Sequence, residues 1–211
     1  MNHRPYSVVL LLKMSDDQVL ATESVLLAQL RAGSLEALGV LYDRYQRLVF
    51  RTALAITGDS EAAADLLQDV FLRLYRYARR IEPGRPLAPW LYRMTANLAL
   101  SWVKKRNRWS SALDEAADWL MGERKNPPMQ QVELNDAWSQ VQQALLALPL
   151  AHRTVVVMYY INDLSLQEIA DILQIPVGTV KSRLHYGRQA LKEHLELTSK
   201  EKLPGMRYEF T

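Results

Sequence analysis

The chain has 211 residues, of which 49% are hydrophobic and 23% charged, the proportions of an ordinary globular protein long enough for one or two domains. Its 26 basic and 23 acidic side chains leave a net charge of only +3, so a polyanion-binding role would have to come from where the charge sits. The absence of cysteine excludes disulfides, thiolate metal sites and a cysteine nucleophile.

The first residues carry an apolar run, SVVLLL at 7–12, far short of the ~20 residues that a membrane span requires. No small-residue cleavage site follows it where a signal peptide would place one, so a cytoplasmic protein without membrane insertion is expected. Met14 opens a more ordinary stretch and is a second candidate start. Residues 1–24 are read as an N-terminal extension. A short helix is expected at 23–32, ending near Gly33. A longer one from Ser34 to about Thr57 has Leu38, Leu41, Tyr42, Tyr45, Val49 and Leu54 on its inner side, and Gly58 stops it.

Asp59-Ser60-Glu61 is a capping signal for a third helix over 61–80. Its apolar face is Ala63, Leu66, Leu67, Val70, Phe71, Leu74 and Ala78. The opposite face carries Asp65, Gln68, Asp69, Arg73 and Arg76, acidic first and basic later. That order complements the helix dipole, and it also suits docking of a partner helix. IEPGRPLAP (81–89) then interrupts with three prolines and a glycine, through which no helix passes. A fourth helix over 90–108 ends in Lys104, Lys105, Arg106 and Arg108, flanked by Trp102 and Trp109. A basic helix end is favoured by the dipole alone; interleaved aromatics also fit a nucleic-acid surface.

Between 109 and 132 the periodicity fails, acidic residues accumulate, and Asn126-Pro127-Pro128 marks a turn, so the stretch reads as a linker with a transient turn of helix around 112–121. A second unit, 133–197, carries helices at about 133–147, 150–161, 165–173 and 176–196, followed by a tail at 198–211. VVVM at 155–158 is the one strand-like run, and its helical neighbours make it helix. Ser165 and Glu168 form a capping box, and Pro176 fits the first turn of the next helix. In that helix Val180, Leu184, Gly187, Leu191 and Leu195 share one stripe, while Lys181, Ser182, His185, Arg188, Gln189 and Lys192 share the other. The pair is an ordinary helical hairpin or a helix-turn-helix, whose second helix enters a major groove. Gln174 stands at the turn, where glycine would adopt a left-handed conformation without cost. Gly187 inside a helix costs roughly 1 kcal/mol relative to alanine and marks close backbone packing. The fold class expected is all-α, in two small helical domains joined by a flexible acidic linker.

Catalysis finds no support. His3, His152, His185 and His194 build no metal-ligand pair, and no glycine-rich phosphate loop or nucleophile elbow occurs. No catalytic residue, metal or cofactor is expected.

Three strings together bear on function. Asp65-Leu66-Leu67-Gln68-Asp69-Val70-Phe71, Trp90-Leu91-Tyr92-Arg93 with Asn97, and Gly178-Thr179-Val180-Lys181-Ser182-Arg183-Leu184 resemble signatures of the sigma-70 RNA polymerase sigma factors, extracytoplasmic function (ECF) subfamily. The resemblance implies a sigma-2 domain at 25–108 and a sigma-4 domain at 133–197. It implies that Asp65, Gln68, Asp69 and Phe71 bind core RNA polymerase at the β′ clamp helices, with further contact to the β flap. It implies that Arg85, Arg93, Asn97, Lys104, Lys105, Arg106 and Arg108 bind the −10 element and capture an unpaired base. Thr179, Lys181, Ser182, Arg183, His185 and Arg188 would read the −35 element, and an anti-sigma factor would hold the protein inactive. Ser101 stands where the family commonly has aspartate, Tyr186 where it often has arginine, and Gly187 where it often has alanine. With only the short tail after sigma-4, the extra C-terminal domain found in some of the subfamily is not expected. A stand-alone helix-turn-helix regulator is the alternative function, although it would need neither 61–108 nor the acidic linker.

Overall fold

The structure is a computed structural model that describes residues 16–82, 84–121 and 136–202. Among these residues there are eight α-helices, a 3₁₀ turn and no strand. The first unit comprises α1 (Asp16–Arg31), α2 (Leu35–Thr57), α3 (Ser60–Tyr77), the turn at Ala78–Arg80 and α4 (Ala88–Met121). The second comprises α5 (Asp136–Ala147), α6 (Leu150–Tyr160), α7 (Leu166–Leu173) and α8 (Val177–Lys202).

Local chemistry sets most of the boundaries. Ser34 caps α2 by accepting from Ala37 N–H, and Asp59 caps α3 by accepting from Ala62 N–H. Gly58 ends α2 in the left-handed region at φ 72°, its N–H bonded to Leu54 O. A Cβ there would also come within 2.5 Å of the Leu146 side chain, so the second unit as well as the turn demands glycine. The capping box forms in both directions: Ser165 Oγ accepts from Glu168 N–H, and the Glu168 carboxylate accepts from Ser165 N–H. Gln174 adopts the left-handed conformation itself, at φ 55°. Its side chain donates to Asp171 O at 2.9 Å, offsetting part of the backbone cost.

Three expected boundaries move. α1 begins at Asp16 rather than 23, and α8 runs to Lys202 rather than 196. α4 does not stop at 108 but continues through Trp109 to Met121, so the stretch read as linker opens as helix. The rest of that stretch, to 132, lies outside the described residues, as does the run at 7–12.

One core lies inside the first unit, where Leu26, Leu27 and Leu30 of α1 meet Leu41, Val49, Leu67, Val70, Phe71, Leu74, Leu87 and Leu91. The other core crosses the units. Ala53, Leu54, Ile56, Ala63, Leu66, Tyr92 and Ala96 pack with Leu145, Leu148, Val155, Val156, Val157, Met158, Ile169 and Ile172. α5 and α6 lie against α2, and α7 lies against α4. The two helical units, expected on a linker, lie against each other through these helices. α6 is packed by α2, α5, α7 and α8, which explains why VVVM is apolar on every side without being a strand.

Candidate nucleic-acid interface

α7 and α8 form a helix-turn-helix. Val180 and Leu184 are buried, and Gly187 lies so close to α6 that a Cβ would stand 2.6 Å from Val156 Cγ2. That is the close backbone packing expected at Gly187. The inward stripe leaves Lys181, Ser182, His185 and Arg188 exposed on the outer face, with Thr179 and Arg183 half-buried beside them. Ser182 Oγ donates to Thr179 O at 3.0 Å, and Lys192 pairs with Glu196 at 3.7 Å. Tyr186 is 58% exposed, with the His185 and His152 rings 5.3 and 6.4 Å away. An exposed helix face of this kind, cationic and hydrogen-bonding, has the dimensions of a major-groove reader.

The second basic surface is on α4. Arg93, Asn97, Ser101, Lys104 and Arg108 follow one another at three- and four-residue steps, and all are exposed. The line extends roughly 22 Å at 1.5 Å per residue. Lys105 and Arg106 flank it, the Arg106 guanidinium lying 4.8 Å over the Trp102 ring and 3.8 Å from the Asp59 carboxylate. Arg85 is exposed in the loop before α4 and pairs with Glu82 at 2.5 Å. A cleft of about 560 Å³ brings Arg85, Arg93 and Trp90 together, with Asn97 outside its lining. Its other wall is α7, through Glu168, Asp171 and Ile172. Arg93 donates across to Asp171 O at 2.5 Å, so in this closed arrangement one candidate DNA contact is held by the other unit.

The third surface is the outer face of α3, where Asp65, Gln68 and Asp69 are all exposed on one side. Phe71, grouped with them from the sequence, is not on that surface. It is 4% exposed, edge-on to Tyr42 at 4.9 Å, and supports the helix from beneath.

Sequence reasoning missed the polar residues that join the units. Arg153 is buried with no carboxylate partner among the described residues; it donates to Ile56 O at 2.8 Å, Leu146 O at 2.9 Å and Leu148 O at 3.1 Å. Those carbonyls lie at the C-terminal ends of α2 and α5, where partial negative charge and unpaired oxygens accumulate. Burial, and the Arg106 charge after it, lowers the Arg153 pKa from its ordinary value. Gln142 donates to Leu54 O at 2.9 Å, and Asn162 to Thr52 Oγ1 at 2.7 Å. Burial raises the Tyr92 phenol, with Asn162 beside it opposing the shift. The one signal available beforehand was a cation on an apolar stripe, Arg153 with Val156 and Val157.

Among the described residues no helix is long and apolar enough to cross a membrane. The described residues thus present two basic helical faces on separate units and an acidic face on a third helix, the pattern of a helical DNA-binding protein. Residues 41–109 match the family model Sigma-70 region 2, and 138–191 match Sigma-70, region 4. The chain is 33% identical over 181 residues to the ECF RNA polymerase sigma factor SigW of Bacillus subtilis, covering 79% of this chain and 93% of that protein. It is 38% identical over 154 residues to the ECF sigma factor SigE of Mycolicibacterium smegmatis, covering 72% of this chain and 59% of SigE. The fold resembles CnrH, solved in complex with the cytosolic domain of CnrY, at a TM-score of 0.61 and 23% identity over 83% of this chain and 97% of that one. It also resembles RpoE of Bartonella quintana, solved with the anti-sigma factor NepR, at a TM-score of 0.59 and 22% identity over 75% of this chain and 96% of that one. The chain belongs to the ECF subfamily of sigma-70 RNA polymerase sigma factors, and is thus a transcription initiation factor.

Proposed function

We propose that this sigma factor docks on core RNA polymerase with Asp65, Gln68 and Asp69 against the β′ clamp helices and with its second unit on the β flap. It then reads −10 through Arg85, Arg93, Asn97, Lys104, Lys105, Arg106 and Arg108, and −35 through Thr179, Lys181, Ser182, Arg183, His185 and Arg188. The two-faced character of α8 carries this reading: Val180 and Leu184 are buried while Lys181, Ser182, His185 and Arg188 face outward. The protein works by binding alone, in the cytoplasm, without a catalytic group of its own.

The closed arrangement bears on how it works. The two promoter elements are named for positions roughly 25 base pairs apart, roughly 85 Å along B-DNA at 3.4 Å per step. α2 and α6 are in direct contact, so the units part before both elements are read together. The resting partner is an anti-sigma factor, the kind of protein that RpoE is bound to.

In vitro transcription with core polymerase and a promoter library is the test. Initiation that requires this chain, and that Asp65→Lys with Asp69→Lys abolishes at unchanged helix content, is the expected result. DNA binding with no dependence of initiation on the chain would overturn it in favour of a stand-alone regulator.

A further inference from the structure

The loop between the 3₁₀ turn and α4 is gripped at both ends by α1, a helix that precedes the matched sigma-70 region beginning at 41. At the near end, Arg31 donates through Nε to Ala78 O at 3.1 Å and through its terminal nitrogen to Ile81 O. At the far end, Glu23 Oε2 accepts from Leu87 N–H at 2.9 Å. Leu87 is fully buried, and its carbonyl accepts the first α4 bond, from Leu91 N–H at 3.1 Å. Glu23 therefore does from another helix what the glutamate of a capping box does from its own: it satisfies the N–H of the residue that caps α4. The carboxylate also faces the positive end of the α4 dipole.

Glu23 occupies a place where burying a carboxylate is costly. Its side chain is 3% exposed on the stripe that buries Leu26, Leu27 and Leu30, a position where an apolar residue would pack without a desolvation cost. The Tyr45 hydroxyl donates to Oε1, and the Arg44 guanidinium is 3.9 Å away. Burial still raises the carboxyl above its ordinary value, against the opposing effects of Leu87 N–H and Arg44. Between the two anchors Glu82, Gly84, Arg85 and Pro86 are exposed, with Gly84 at φ 77°. The ends of the loop are pinned from α1, while the described crown residues are exposed, Arg85 pairing with its neighbour Glu82.

We infer that Glu23 and Arg31 are positioning residues that set the span of this loop and with it the choice of −10 sequence. The inference rests on the reading that the loop contacts the −10 element. A base pocket discriminates only when its donors are held to a fraction of an ångström, and the exposed residues of the crown are placed by where the loop's ends are fixed.

The test uses the full chain with core polymerase on a randomised −10 library, comparing wild type, Glu23→Ala, Glu23→Gln, Arg31→Lys and Arg85→Ala. Glutamine keeps an acceptor oxygen for Leu87 N–H, and lysine keeps the charge of Arg31 without its forked geometry. Expected for Glu23→Ala and Arg31→Lys is about a tenfold loss of discrimination at one or more −10 positions, comparable to one lost base contact. The −35 preference and core affinity should stay unchanged, and Glu23→Gln should restore most of the −10 preference. Glu23→Ala also removes a buried group, so Arg31→Lys supplies the comparison should Glu23→Ala fold poorly. Activity that falls equally on all promoters, with the preference intact, would make the clamp a merely structural device and overturn the inference. If Arg85→Ala shifts the −10 preference while neither clamp variant does, the clamp falls and the loop reading stands. If none of the variants shifts it, the loop reading falls and takes the clamp with it.

Discussion

Arg153 of α6 donates to Ile56 O of α2 at 2.8 Å, placing a buried guanidinium at the end of a helix in the other unit. The same side chain reaches Leu146 O and Leu148 O at the end of α5. Two helix C-termini converge on it, and their combined dipoles replace the carboxylate that a buried arginine ordinarily has.

Arg153→Met should therefore cost at least about 2 kcal/mol in urea unfolding, since three carbonyls lose a charged donor in a dry setting. Asn162→Ala removes a bond between the units, to Thr52 Oγ1, without touching α5. It should leave the helices intact while small-angle scattering records a larger radius of gyration. Unchanged stability in the first variant and an unchanged radius in the second would mean that the closure does not depend on these polar contacts.

Gly187→Ala sets two effects against each other. Alanine improves helix propensity by about 1 kcal/mol, but its Cβ would stand 2.6 Å from Val156 Cγ2, and overpacking a core costs about 1–3 kcal/mol. Val156 is 1% exposed and held in the core between the units, so the clash should win and the variant should be destabilised. Adding Val156→Ala should recover part of the loss. A more stable single variant would show that α8 can slide away from α6 freely.

Ser165→Ala removes half of the capping box at the start of α7 and should lower stability by about 1 kcal/mol. The pH dependence follows from Glu168, whose pKa is lowered by the Ser165 side chain first and by its backbone N–H second. A carboxylate with a lowered folded pKa contributes stability that is present above its ordinary value of 4.5 and lost as pH falls through the lowered one. The gap between wild type and Ser165→Ala, measured by thermal melts, should accordingly narrow on acidification below pH 4.5. A gap constant from pH 7 to 3 would contradict the coupling.

Lys181 and Arg183 should separate by the kind of contact each makes. Lys181 is fully on the outer face, whereas Arg183 is half-buried along the flank of α8. Lys181→Ala, like His185→Ala, should relax specificity at one −35 position by about 1–3 kcal/mol. Arg183→Ala should weaken binding to all sequences and flatten the salt dependence by about one phosphate contact. Titrations at several salt concentrations against a base-substituted −35 series would tell the two apart, and no change in either quantity would remove α8 from the interface.

What the sequence determined by itself were the features written within a few residues of each other. Ser34, Gly58, Asp59 and the Ser165–Glu168 pair announce helix ends because capping bonds span three or four positions. The inner faces of α2, α3 and α8 could be read from their period, since burial of one stripe is what makes a surface helix stable. Lost periodicity and the turn at Asn126-Pro127-Pro128 marked the division into two units, and the family strings assigned roles to the candidate surfaces. Phe71 shows where such a string misleads: it records that a residue matters, without saying whether it points outward or supports the face from beneath. What only the tertiary structure decided is which stripe meets which. α4 runs on to Met121 through a stretch whose composition reads as linker, and the second unit closes on α2 and α4. Glu23 and Arg153 mark the limit most clearly. Each is a charge on an apolar stripe, which signals that a partner exists, but Leu87 N–H is 64 residues from one and Ile56 O is 97 from the other. A polar group excluded from water must find its complement somewhere in the fold, and the chain's local pattern holds no information about where.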